Sequence, residues 1–89
     1  MAWVYILQSN KNGSYYIGST IDIKKRLSLH NKGLVKATNR LLPYRLMLKQ
    51  YVPTTTEAKQ VEFRMKRLKR RDYIEKMIRD RYIKTARTN

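Results

Sequence analysis

The spacing of apolar and polar residues changes its period several times along this chain, and each change marks an element. Residues 3–7, Trp-Val-Tyr-Ile-Leu, are an unbroken β-branched and aromatic run, the composition of a strand. Ser9-Asn10-Lys11-Asn12-Gly13 follows, and Asn and Gly tolerate the positive φ that a tight turn needs. The spacing therefore predicts an antiparallel hairpin of Trp3–Gln8 and Ser14–Ser19. Period-two alternation puts Tyr5 on the face of Trp3 and Leu7, and Tyr16 on the face of Gly18. Two phenols from adjacent strands can then share one face, and Gly18 is expected to leave that face open to an approaching backbone or phosphate.

The period then lengthens. Asp22 is placed to cap a helix over Ile23–Asn31, with Gly33 at its C′ position. Ile23 and Leu27 are its core positions. Arg26 and His30, four apart, lie on one side of it at the seam between core and solvent. Leu34 to Leu42 is irregular, either a substrate-facing loop or a basic connector. Tyr44–Tyr51 sets Leu46 and Leu48 against Arg45, Met47 and Lys49, a third strand. Thr54 and Glu57 have capping-box spacing. A helix over Glu57–Arg70 follows, burying Ala58, Val61, Met65 and Leu68. Asp72 is placed to cap a last helix over Tyr73–Lys84, packed through Ile74, Met77, Ile78 and Tyr82. The predicted class is α/β of the α+β kind: a small sandwich in which a three-stranded antiparallel sheet is flanked by helices. At 89 residues one domain is expected.

Charge narrows the function. The chain carries 21 Lys and Arg against 6 Asp and Glu, a net charge of +15, which points to a polyanionic partner. The basic run around Lys66, Arg67 and Arg70, with Lys24, Lys25 and Lys36, is the candidate phosphate-contacting set; its bland alternative is a solvated helix face. There is no cysteine and one histidine, so disulfides, cysteine nucleophiles and histidine-cluster metal sites are excluded. No apolar run reaches membrane-spanning length and no signal-peptide order opens the chain. No membrane partner and a cytoplasmic location are therefore expected.

The chemistry open to the remaining residues is limited. Asp22, Glu57 and Asp72 look engaged at helix starts, which leaves too few acids for a two-metal centre. A single magnesium ion needs only one or two carboxylates plus substrate phosphate. Glu62, about 40° around the helix from Ala58, is placed to supply one. The alternative is a surface glutamate paired with Lys59 or Lys66. His30 has its own alternative, a half-buried core histidine with a satisfied ring.

Trp3-Val4-Tyr5, Tyr16-Ile17-Gly18, Arg26, His30 and Glu62 together resemble the GIY-YIG nuclease superfamily, most nearly its small stand-alone YhbQ-like members, which are similar to the N-terminal nuclease domain of UvrC. The resemblance runs from Trp3 to about Leu68. It implies that Tyr5 and Tyr16 are site tyrosines, Arg26 a phosphate clamp, His30 a proton-transfer partner and Glu62 the ligand of Mg²⁺ or Mn²⁺. It implies a metal-dependent endonuclease acting on DNA, with branched, flapped or nicked forms as candidate substrates and RNA as an alternative polymer. No helix with base-reading spacing is evident, so little sequence preference is expected. Larger relatives take specificity from attached domains, so a protein partner could supply it here. Ser19 stands where UvrC has lysine, and no asparagine follows Glu62 before Asn89. The alternative reading is a GIY-YIG-fold nucleic-acid-binding module with weak or lost catalysis.

Overall fold

The computed structural model describes residues 2–68 and 70–83. Strands β1 (Ala2–Ser9), β2 (Tyr15–Thr20) and β3 (Tyr44–Val52) and helices α1 (Ile23–Asn31), α2 (Thr55–Leu68) and α3 (Arg71–Asp80) follow in the order β1, β2, α1, β3, α2, α3. The sheet is antiparallel with strand order β2-β1-β3. The α+β sandwich expected from the sequence is therefore the fold. β1, apolar on both faces, is the central strand. Val4, Ile6, Ile17, Val61, Met65 and Ile74 fill the side covered by α2 and α3. Tyr5, Leu7 and Tyr44 pack with Ile23 and Leu27 on the α1 side.

Local chemistry sets the element ends. Asp22 caps α1 by accepting from the Lys25 N–H at 3.0 Å. Gly33 closes α1 at φ 77°, with Gly33 N donating to His30 O and Leu34 N to Leu29 O. That is a Schellman ending, which the Cβ-free residue allows at no steric cost. The Asn31 amide then grips β3, donating to Tyr44 O at 3.0 Å and accepting from Tyr44 N at 2.8 Å.

Four expectations are corrected. Between the pairs Ile6↔Leu48 and Leu7↔Leu46, Met47 is an extra residue in β3. This bulge sends Leu46 to the α1 side and Leu48 to the α2 side, whereas unbroken alternation keeps them together. Leu68, at the last position of α2, is 43% exposed. Asp72 does not cap α3: Arg70 stands at the N-cap, and Asp72 pairs with it from the first turn. Tyr82 is 53% exposed while Ile83 is fully buried. There the helix stops at Asp80, and Arg81 turns left-handed at φ 58°. The turn swings Ile83 inward, where the Gln50 amide holds its N–H and C=O, each at 2.8 Å. The expected end of the last helix, Lys84, lies outside the described residues.

Candidate active site

The hairpin register assembles the first half of the site. Tyr5 pairs with Gly18 and Leu7 with Tyr16, so the two phenols lie on one face, ring centroids 6.4 Å apart. The Tyr5 ring crosses directly over Gly18. A Cβ built on Gly18 would lie 2.5 Å from Tyr5 Oη and 2.6 Å from Cζ. The space above Gly18 is thus filled by a phenol, and the expectation of a phosphate-accepting opening there is corrected. The missing side chain serves the neighbouring tyrosine.

His30 is more deeply set than its place on α1 predicts. It is fully buried, because the segment after α1 folds over it and brings Thr38 against the ring. Nδ1 lies 2.8 Å from Thr38 Oγ1, and Nε2 lies 2.9 Å from Tyr5 Oη. Burial, and secondarily the Arg26 charge, lower its pKa to about 4, so the ring is neutral and carries one N–H. Proton counting places that N–H. The Thr38 hydroxyl has a second partner, the Val35 carbonyl at 3.4 Å, to which it donates. Thr38 Oγ1 then accepts from Nδ1–H, and Nε2 accepts the Tyr5 O–H. The opposite tautomer leaves the Tyr5 proton with no acceptor among the described residues.

Arg26, on α1, lies beside both phenols. Its interaction with Tyr5 is the main factor raising the guanidinium pKa, with Tyr16 adding to it. Burial raises the Tyr5 pKa, and the bond from Arg26 opposes that. Arg26 Nε is buried without a hydrogen-bond partner, alone in this among the buried side-chain nitrogens and oxygens of the described residues. An orphaned buried donor costs about 1–3 kcal/mol. An anion reaching this nitrogen would supply the acceptor it lacks.

Glu62 reaches the cluster from the other side of the sheet, around the β2 edge. Ser19 Oγ donates to Glu62 Oε1 at 2.6 Å, and Lys66 Nζ donates to Oε2 at 2.7 Å. The pairing with Lys66 that the sequence left as the alternative for Glu62 is present: these residues are one turn apart and joined. Glu62 is nevertheless held at the sheet edge by Ser19, near enough for its charge to act on Tyr5. No cluster of three or more metal-type ligands occurs among the described residues. A lone carboxylate fits a hydrated hard cation that takes its remaining oxygens from water and substrate. A half-exposed i,i+4 lysine is a weak competitor for it.

Lys24, Lys25 and Lys36 are exposed on α1 and the loop after it, and Lys66, Arg67 and Arg70 are exposed on and after α2. Arg67 lies over the Phe63 ring, while Arg70 lies over Tyr73 and is paired with Asp72. The basic set therefore flanks the cluster from both faces of the sheet. Two residues of the site escaped the sequence: Thr38, which fixes the His30 ring, and Ser19, which fixes Glu62. Ser19 adjoins Gly18 and lies on the opposite face from Tyr16, a weak signal. Thr38 sits in an irregular segment with no periodicity to place it.

Comparisons with known proteins agree with this fold. Residues 1–77 match the model of the GIY-YIG catalytic domain. A UPF0213 protein of Streptococcus pneumoniae is 41% identical over 70 residues, covering 78% of this chain and 70% of the relative. One from Bacillus velezensis is 40% identical over 88 residues, covering 91% and 88%. The solution NMR structure of a UPF0213 protein from Bacillus halodurans superposes with a TM-score of 0.56 at 31% identity, over 98% of this chain and 89% of that one. With the domain match spanning most of its length, the chain belongs to the GIY-YIG catalytic-domain family and is akin to its UPF0213 members.

Proposed function

We propose that residues 1–89 act as one divalent-metal-dependent endonuclease domain that hydrolyses phosphodiester bonds in DNA with little sequence preference. The observation that carries this reading is the unpartnered buried Nε of Arg26, set beside two phenols. The guanidinium binds the scissile phosphate and stabilises the charge that builds on its oxygens as water attacks. Of the two phenols, Tyr5 has an acceptor for its own proton in place, at 2.9 Å. It takes a proton from the attacking water while its own passes to Nε2 of His30. His30 thereby acts on the reaction through Tyr5. Tyr16, the more exposed phenol, orients the phosphate with Arg26. Glu62 would hold a hydrated cation, Mg²⁺ or Mn²⁺, whose charge would add to that of Arg26 at the phosphate.

The net charge of +15 brings the polyanion to this centre, and Lys24, Lys25, Lys36, Lys66, Arg67 and Arg70 carry the phosphate contacts around it. Affinity should fall steeply with salt as counterions are released. Among the described residues no helix is long and apolar enough to cross a membrane. The test is incubation of labelled single-stranded, duplex, nicked, flapped and branched DNA with the protein in Mg²⁺, in Mn²⁺ and in EDTA. Cleavage that needs the metal is the expected result. The hold of Lys66 on Glu62 favours a second reading, a nucleic-acid-binding module with weak or lost catalysis. Binding without cleavage of any of these DNAs would support it.

A further inference from the structure

Among the described residues, the outer edge of β2 is unpaired in the sheet. Between it and the facing sides of α2 and α3 lies a groove of about 520 Å³, lined by Ser14, Tyr15, Tyr16, Met65, Lys66 and Arg71 among others. Two of its aromatic rings carry a cation. The Arg71 guanidinium lies 4.8 Å from the Tyr15 ring centroid, and Lys66 Nζ lies 5.6 Å from that of Tyr16. Arg71 is steadied by the Gly13 carbonyl at 3.2 Å and the Glu75 carboxylate at 3.1 Å. Tyr16 and Lys66 also belong to the centre described above, since Lys66 holds Glu62. The groove therefore opens onto that centre at one end and runs toward the hairpin turn at the other.

We propose that this groove binds an unpaired stretch of polynucleotide, with Tyr15 and Arg71 as its base-stacking pair. Flat rings, an apolar floor and flanking cations match a chain that offers bases and phosphates together. A duplex offers its phosphates but keeps its bases stacked inside, so it has nothing to lay on Tyr15. The net charge of +15 favours a polyanion over a peptide strand adding to the same edge. The proposal deepens the nuclease reading, on which it rests for its purpose, by naming the substrate as single-stranded beside the cleaved bond.

The test measures binding alone, by fluorescence anisotropy in EDTA at fixed salt. The probes are a labelled oligothymidylate, an abasic oligomer with the same number of phosphates, and a duplex of the same length. Wild type should bind the oligothymidylate at least about tenfold more tightly than the abasic oligomer. Tyr15→Leu keeps an apolar body against the core and should remove most of that difference. Arg71→Gln, at an exposed helix start, should do the same without threatening the fold. Equal affinity for the thymidine and abasic oligomers would overturn the proposal. So would a base-dependent difference that both variants leave intact, or a groove occupied by a second copy that oligonucleotide cannot displace. Because no cleavage occurs in EDTA, failure of the nuclease reading does not alter these outcomes. A protein that cleaves DNA yet shows no base-dependent binding would overturn this inference alone.

Discussion

The phenol of Tyr5 occupies the space that a side chain at Gly18 would need: an added Cβ would stand 2.5 Å from its oxygen. The glycine of β2 thus decides where the tyrosine of β1 can lie, and with it the 2.9 Å contact to His30. Gly18→Ala should push the ring out of line. Overpacking of this kind costs about 1–3 kcal/mol. A lowered Tm together with shifted Tyr5 and His30 NMR signals is the expected outcome. Retained signals and unchanged stability would show that the ring has room to spare.

Thr38 selects the His30 tautomer. Thr38→Val removes the acceptor at Nδ1 while keeping the shape of the side chain, so the proton should move to Nε2, which then donates to Tyr5. Ring ¹⁵N shifts of His30 should report Nδ1–H in wild type and in Thr38→Ser, and Nε2–H in Thr38→Val. Cleavage should fall in Thr38→Val and be kept in Thr38→Ser.

His30 also ties stability to pH. Its folded pKa of about 4 lies below the ordinary 6.5, so between those values the unfolded chain binds the extra proton. Stability therefore rises with pH through this window and is lost as pH falls from 6.5 toward 4. The loss should reach about 2 kcal/mol between pH 7 and pH 5. Urea unfolding at the two pH values measures it. His30→Gln should be less stable at pH 7 but should lose most of this dependence on pH.

Arg26→Ala removes a phosphate contact and a source of transition-state charge together. Both DNA affinity and cleavage should drop, cleavage by at least about a hundredfold. Arg26→Lys keeps the charge but not the planar fork, so it should recover affinity better than rate.

The strand alternation was enough to place Tyr5 and Tyr16 on one face, because β1 and β2 pair without irregularity. The same alternation misplaced Leu46 against Leu48, because a bulge at Met47 leaves no mark in the pattern. The helical period put Arg26 and His30 on one side of α1. It could not give the depth of His30, which depends on a loop that returns Thr38 to the ring. The inward turn of Ile83 was hidden for a similar reason: it follows from the left-handed backbone of Arg81, a residue type that seldom signals one. The spacing of Glu62 from Ala58 correctly put its carboxylate at the margin of the buried stripe. Of its two holders, Lys66 is one turn along the same helix and was a partner the spacing offered, whereas Ser19 comes from β2 and only the fold brings it there.

Glu62, at the edge of β2, is proposed to hold the cation that works with Arg26 and Tyr5. Single-turnover cleavage of a labelled DNA across a Mg²⁺ titration tests it most directly, comparing wild type with Glu62→Gln, which keeps the size and loses the charge. The variant should need far more metal and turn over at least about a hundredfold more slowly, while its DNA affinity in EDTA stays the same or rises slightly. Equal cleavage by the two proteins at limiting Mg²⁺ would mean that Glu62 does not hold the cation.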